Sequence, residues 1–266
     1  KESSPEPVAG VGIGIPSMID QQRGRAVMSV NVPLADLDFV SYMEEQTGLP
    51  VRIDNDANLA ALAEARAGAA RGVQQAVMIT VGTGIGGGLI IDGWVYRGAT
   101  GSAAELGHMV VDAGGPPCQG SCPNQGCFET MASGTALKRY AAELAASHPE
   151  SHLAAAQAAG EALNGELINR LAADGDTPAL KALERVGRYL GIGVTSLVNI
   201  FNPEVFIIGG GVMQAGDLVL RPALHMLAER GLRPNRDIVR VTTPRFGPEA
   251  GLLGAACLAL EAGGRP

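Results

Sequence analysis

His108, Cys118, Cys122 and Cys127 put one imidazole and three thiols into a single stretch of chain. One nitrogen and three thiolates form a closed tetrahedral set suited to zinc. Gly120, Pro123 and Gly126 lie between the thiols, where such residues help a loop wrap an ion. A disulfide or free thiols are the alternatives. Four protein ligands leave no position for a reacting water, so a zinc ion here is predicted to be structural, fixing a loop that would otherwise fray. The remaining cysteine, Cys257, stands in an apolar run and reads as core.

Two carboxylates flank the cluster: Glu105 one turn-length before His108, and Glu129 two residues after Cys127. Whatever holds the loop holds them too. An imidazole that binds a metal through one nitrogen can hydrogen-bond a hydroxyl through the other, and carboxylates accept from hydroxyls in pairs. Glu105, His108 and Glu129 therefore resemble a polyol-binding rim. Alternatively, the carboxylates are solvated or support the metal ligands. Asp56, within Asp54-Asn55-Asp56-Ala57-Asn58, is predicted at a strand end just before a helix, where open α/β sheets place ligands. Asp and Asn are also the usual helix caps. A cap needs one such residue and this stretch holds four in five positions, which leaves a role as a base open to Asp56.

Residues 80–88 include Gly82, Thr83, Gly84, Gly86, Gly87 and Gly88, a composition whose backbone amides can cradle a phosphate. Gly82, Gly84 and Gly87 also match the dinucleotide-binding spacing. That fingerprint must open a helix, whereas here it enters the apolar run 89–91 and an Asp92-Gly93 hairpin signal, which excludes a dehydrogenase. Gly209, Gly210 and Gly211 follow a short apolar run and either admit a nucleotide or form a tight turn.

The elements that must position these groups follow from periodicity. Strands are predicted over 8–15, 51–53, 76–81, 205–208 and 239–241. Helices are predicted over 36–46, with Leu37, Val40 and Met43 on one face, over 59–67, through most of 133–199, and from Ala250. Strand and helix alternate over the first part of the chain, as in open α/β sheets. The 266 residues are 46% hydrophobic and 18% charged, with 37 Gly spread throughout, a composition that excludes extended disorder. A net charge of −7 argues against a nucleic acid partner. No apolar run approaches the ~18 residues of a membrane span.

In chain order, Asn55-Asp56-Ala57-Asn58, Gly82-Thr83-Gly84-Ile85-Gly86-Gly87-Gly88, Glu105-Leu106-Gly107-His108, Gly126-Cys127-Phe128-Glu129 and Gly209-Gly210-Gly211 resemble the motifs of the ROK family. This is the repressor, open-reading-frame and kinase group that contains bacterial glucokinases, and the resemblance covers nearly the whole chain. It implies an α/β, two-lobed actin/hexokinase-like ATPase fold of the ribonuclease H-like type. Residues 1–71 with 248–266 would form the small lobe, and residues 72–247 the large lobe carrying the zinc site. The implied activity is that of a cytoplasmic ATP-dependent hexose kinase, first of all a glucokinase converting ATP and D-glucose to ADP and glucose 6-phosphate. By this resemblance Asp56 is the general base, and Asn55, Asp56, Glu105, His108 and Glu129 hold the sugar. Thr83, Gly84, Gly86, Gly87 and Gly88 with Gly209, Gly210 and Gly211 hold ATP and its Mg2+, and His108, Cys118, Cys122 and Cys127 hold zinc. Sugar binding is expected to close the cleft and exclude water. A homodimer or higher homo-oligomer is the expected assembly.

The chain departs from the family pattern in two places. The family has Cys-x-Cys-x4-Cys, whereas three residues separate Cys118 from Cys122, so the first thiol must reach the metal from a longer loop. The family also opens on Asp-x-Gly-Gly-Thr, which contacts ATP and magnesium, and no such segment precedes Val8; Asp112-Ala113-Gly114-Gly115-Pro116 imitates it inside the zinc loop. The expectation is a sequence about fifty residues short of the family's start, which binds sugar better than it turns over ATP. A second reading is the sugar-sensing domain of a ROK transcriptional repressor, with its DNA-binding helices upstream. A third is a catalytically silent scaffold stabilised by zinc.

Overall fold

Strands β1 (Val11–Ile15), β2 (Met18–Asp20), β3 (Arg25–Met28) and β4 (Ala35–Asp38) precede helix α1 (Phe39–Thr47), and β5 (Val51–Asn55) runs directly into α2 (Asp56–Ala67). A meander of β6 (Ala76–Val81), β7 (Ile85–Ile91) and β8 (Trp94–Val95) leads into helices α3 (Phe128–Ala132), α4 (Gly134–Ser147), α5 (His152–Ala158), α6 (Gly165–Ala173) and α7 (Thr177–Phe201). β9 (Val205–Gly209), α8 (Asp217–Arg230), α9 (Asn235–Ile238), β10 (Arg240–Thr242) and α10 (Ala250–Leu260) follow. The computed structural model describes residues 8–29 and 35–261, so the polar opening of the chain lies outside the described residues. Helix α1 starts later than the apolar spacing predicts, because Asp38 accepts from the Ser41 amide and caps it, and Leu37 falls in β4. It stops at Gly48, whose φ of 64° is the left-handed cap that the Gly-Leu-Pro signal predicts.

Among the described residues the strands form a five-stranded sheet in the order β10-β9-β6-β7-β8, a pair β1-β5 and a three-stranded sheet β2-β3-β4. β10, β9 and β6 run parallel, β7 pairs antiparallel with β6, and β8 pairs antiparallel with β7. Val77, Ile79 and Val81 with Phe206 and Ile208 face a core shared with α4, α7 and α8. Met78, Val205 and Ile207 face a second core shared with α2 and α10. A sheet covered on both faces needs apolar residues on both, which accounts for the apolar runs 76–79 in β6 and 205–208 in β9. No helix among the described residues is long and apolar enough to cross a membrane.

Helix α2 touches both the five-stranded sheet and the β1-β5 pair, and α10 packs on α2 and on β1 and β5. They approach backbone to backbone: a Cβ on Gly254 would strike the carbonyl oxygen of Leu59, and one on Gly12 the carbonyl oxygen of Ala255. Gly254→Ala is therefore expected to destabilise the protein by about 1–3 kcal/mol as the helices are forced apart. Gly251→Ala lies on the same helix with nothing within 4 Å of the added carbon and is expected to stabilise it by about 0.4–1 kcal/mol. The thermal unfolding midpoints of the two variants should move in opposite directions.

Candidate active site

The junction of β5 and α2 separates two neighbouring residues into different jobs. Asn55 Oδ1 accepts from the amides of Ala57 at 2.9 Å and Asn58 at 3.3 Å and so caps α2, while its Nδ2 donates to the Ser17 carbonyl at 3.3 Å. Asp56, the first helical residue, is not the cap. It is exposed, with Oδ1 accepting from the Ala57 amide at 3.0 Å, and an acidic side chain at the positive end of a helix stabilises that helix.

Asp56 faces a cavity of about 300 Å3 walled by Pro16, Ser17 and Met18 on one side and by Thr80, Gly82 and Gly84 on another. Asn55, Glu105, His108 and Glu129 line the same cavity, as do Gly86 and Gly210; Thr83, Gly87, Gly88, Gly209 and Gly211 are not among its lining residues. The glycine run divides because β7 begins at Ile85 and only residues 82–84 form a loop, closed by the Gly82 amide donating to the Gly84 carbonyl at 2.9 Å. Gly86 and Gly88 instead let α2 settle on the strand, since added carbons would lie 3.1 Å from Ala57 Cβ and 2.5 Å from Ala61 Cβ. Gly87 faces the other way, where an added carbon would lie 2.6 Å from Leu106. The structure thus brings the predicted sugar residues together and assigns part of the predicted phosphate run to packing.

Glu129 is buried, and its Oε2 accepts from the Ile85 amide at 2.8 Å. Glycine at position 84 leaves room for the Glu129 carboxylate, which a Cβ there would displace. Burial pushes the Glu105 carboxyl above the ordinary range; the His108 ring pulls it back, and the Glu129 and Asp56 carboxylates push it up again. A pocket with three facing carboxylates suits a ligand rich in hydrogen-bond donors, such as a polyol.

His108 bridges this rim and the thiols. Its Nδ1 lies 3.6 Å from Cys118 Sγ, while Nε2 lies 3.9 Å from Glu105 Oε2. Cys122 Sγ and Cys127 Sγ are 4.0 Å apart, and no pair of cysteines is disulfide-bonded. One ligand atom from each of His108, Cys118, Cys122 and Cys127 lies within 4.8 Å of the others, a donor set that fits a tetrahedral metal. The longer Cys118–Cys122 spacing is absorbed by a turn in which the Cys122 amide donates to the Gln119 carbonyl and Gly120 takes a φ of 58°. Burial first, and then the Cys118 and Cys122 thiols, push the Cys127 thiol up to about 12; a cation favours the thiolate instead. The Asp112–Pro116 look-alike is tied up inside this loop, with Asp112 accepting from the Gly114 amide at 3.0 Å and from the Tyr189 hydroxyl at 2.9 Å.

Sequence reasoning missed Arg97 and saw Asp54 only as one member of a polar run. Asp54 is fully buried and paired with Arg97 at 2.6 Å. No local pattern marks Arg97, because its partner lies 43 positions away on another sheet.

A family model for the ROK family matches residues 1–262. A glucokinase of Halalkalibacterium halodurans is 37% identical over 94% of this chain and 75% of its own length. A xylose repressor of Bacillus subtilis is 32% identical over 97% of this chain and 62% of its own length. A solved structure of a ROK family glucokinase from Streptomyces griseus, in complex with glucose and AMPPNP, superposes with a TM-score of 0.83 at 37% identity, covering 97% of this chain and 83% of that one. With its mixed α/β actin-like ATPase fold and a cluster of one histidine and three cysteines typical of the family's zinc site, this chain belongs to the ROK family.

Proposed function

We propose that the protein is an ATP-dependent hexose kinase with D-glucose as its preferred acceptor and Asp56 as its general base. The observation that carries this reading is the division of labour at the start of α2: Asn55 caps the helix, so the exposed Asp56 carboxylate faces the cavity. The similarity to glucokinases, one of them solved with glucose and AMPPNP, supports the choice of acceptor and donor.

In this reading Asp56 removes the proton of a sugar hydroxyl as that oxygen bonds to the γ-phosphorus of ATP, and the bond to the β–γ bridging oxygen breaks to release ADP. Asn55, Glu105, His108 and Glu129 fix the acceptor through its other hydroxyls. Thr83, Gly84, Gly86 and Gly210, with the neighbouring Gly87, Gly88, Gly209 and Gly211, form the phosphate side, where Mg2+ supplies the neutralising charge that phosphoryl transfer requires. Closure between residues 1–71 with 248–266 and residues 72–247 excludes water that would compete as acceptor. Zinc at His108, Cys118, Cys122 and Cys127 is structural: it holds the loop that presents His108 and Glu129 to the sugar. The similarity to the xylose repressor supports a second reading, a sugar sensor without phosphoryl transfer.

Asp56→Asn in the complete natural protein is expected to lower kcat by about 10²–10⁴-fold while leaving the sugar Kd nearly unchanged, as read by a coupled phosphorylation assay and by titration calorimetry. Sugar binding without turnover in the unmutated protein would overturn the kinase in favour of the sensor. Metal analysis is expected to find one zinc per chain, lost in Cys127→Ser. That variant should melt at lower temperature and bind sugar about tenfold or more weakly, because the groups supporting a site carry effects of that order. Undiminished sugar affinity in the zinc-free protein would remove the metal from the support of the rim.

A further inference from the structure

We propose that Arg97 is a positioning residue for Asp56, acting across two sheets through the buried carboxylate of Asp54; this role rests on the reading of Asp56 as the base. Asp54 lies on β5 with 0% exposure. A buried carboxylate persists only when a counter-charge and hydrogen bonds satisfy it. Arg97 supplies the charge, donating to Oδ2 through Nε at 2.8 Å and through a terminal nitrogen at 2.6 Å. The other oxygen, Oδ1, accepts from the Asn55 amide at 2.8 Å and from Asn58 Nδ2 at 3.0 Å.

Those two donors bracket Asp56. Asn55 is the cap of α2 and Asn58, 1% exposed, belongs to its first turn. The opening turn of a helix is where amides lack intrahelical partners and the backbone frays; here one carboxylate grips it on both sides of the proposed base. The grip originates outside the β1-β5 pair, because Arg97 follows β8, at the edge of the five-stranded sheet. The ion pair therefore fixes the first turn of α2 relative to the sheet that carries the Gly82–Gly84 loop. A misplacement of about 1 Å at a reacting group costs on the order of 10²-fold in rate, so a tether of this kind acts on kcat with little effect on sugar binding. Two nitrogens held at a fixed spacing converge on one carboxylate oxygen through the planar fork of arginine, which lysine does not reproduce.

Removing Arg97 alone strands a buried charge, so the decisive variant is the double Arg97→Met with Asp54→Asn, which leaves no unpaired charge and keeps the side-chain volumes. Arg97→Lys, which keeps the charge, is the second variant. Both are placed in the complete natural protein beside Asp56→Asn. The double variant is expected to melt close to the unmutated protein and to keep its sugar KM within about threefold. Its kcat should fall about 10–100-fold, and hydrogen exchange should speed up at the Ala57 and Asn58 amides. Arg97→Lys should show a smaller loss of kcat at the same KM. Unmutated kcat and unmutated amide exchange in the double variant would overturn the positioning role and leave the kinase intact. Absence of sugar phosphorylation in the unmutated protein would overturn the kinase reading, and this role with it.

Discussion

Helix α2 must lie against two sheets at once, and that requirement sets the terms for everything around the pocket. A helix so placed has to be narrow on both sides, or its partners must be. Both solutions are present: Ala57 and Ala61 meet Gly86 and Gly88 of β7, while Leu59 fills the space left by Gly14 of β1 and Gly254 of α10. Backbone contacts of this kind leave little freedom to slide, because interiors pack like crystals and not like oil. The N-terminus of α2 consequently opens where β5 ends and the cavity begins, and the carboxylate at that N-terminus inherits its position from packing on both faces of the helix.

The opposite wall is held by different physics. Glu129 lies in the first turn of α3, two residues after a metal-competent cysteine, and its carboxylate accepts from the Ile85 amide where β7 begins. His108 presents one ring nitrogen to the thiols and the other to Glu105. The rim, the thiol loop and the glycine turn therefore share atoms, and none is anchored independently of the others. Beside the pocket, the fully buried carboxylate of Asp54 has its arginine.

The parts of this arrangement that were legible in the sequence are those whose partners are near in the chain. His108 and the three cysteines, the flanking Glu105 and Glu129, and the polar run before α2 each show their chemistry through residue type and short spacing. The strands over 76–81 and the last helix from Ala250 were legible for the same reason, since periodicity is a local property. The glycine run was harder. Composition reports that side chains are absent but not whether a ligand or a helix takes their place, and at Gly88 it is the helix. Whether Asp56 or Asn55 caps α2 is decided by one backbone torsion, which no composition records. Arg97 was illegible because an ion pair between sheets leaves no spacing in the chain.

The ring of His108 carries a last consequence, concerning which atoms of the pocket donate hydrogen bonds and which accept them. A neutral imidazole that gives Nδ1 to a cation has a single N–H left, and it can sit only on Nε2. Nε2 is the nitrogen turned toward Glu105 and the cavity. With a metal bound, the tautomer is fixed and the ring enters the cavity as a donor alone, at any acidity the metal site survives. Accepting hydrogen bonds along this wall then falls to the carboxylates of Glu105 and Glu129, so a bound metal would decide, without touching the ligand, which groups donate to it and which accept from it.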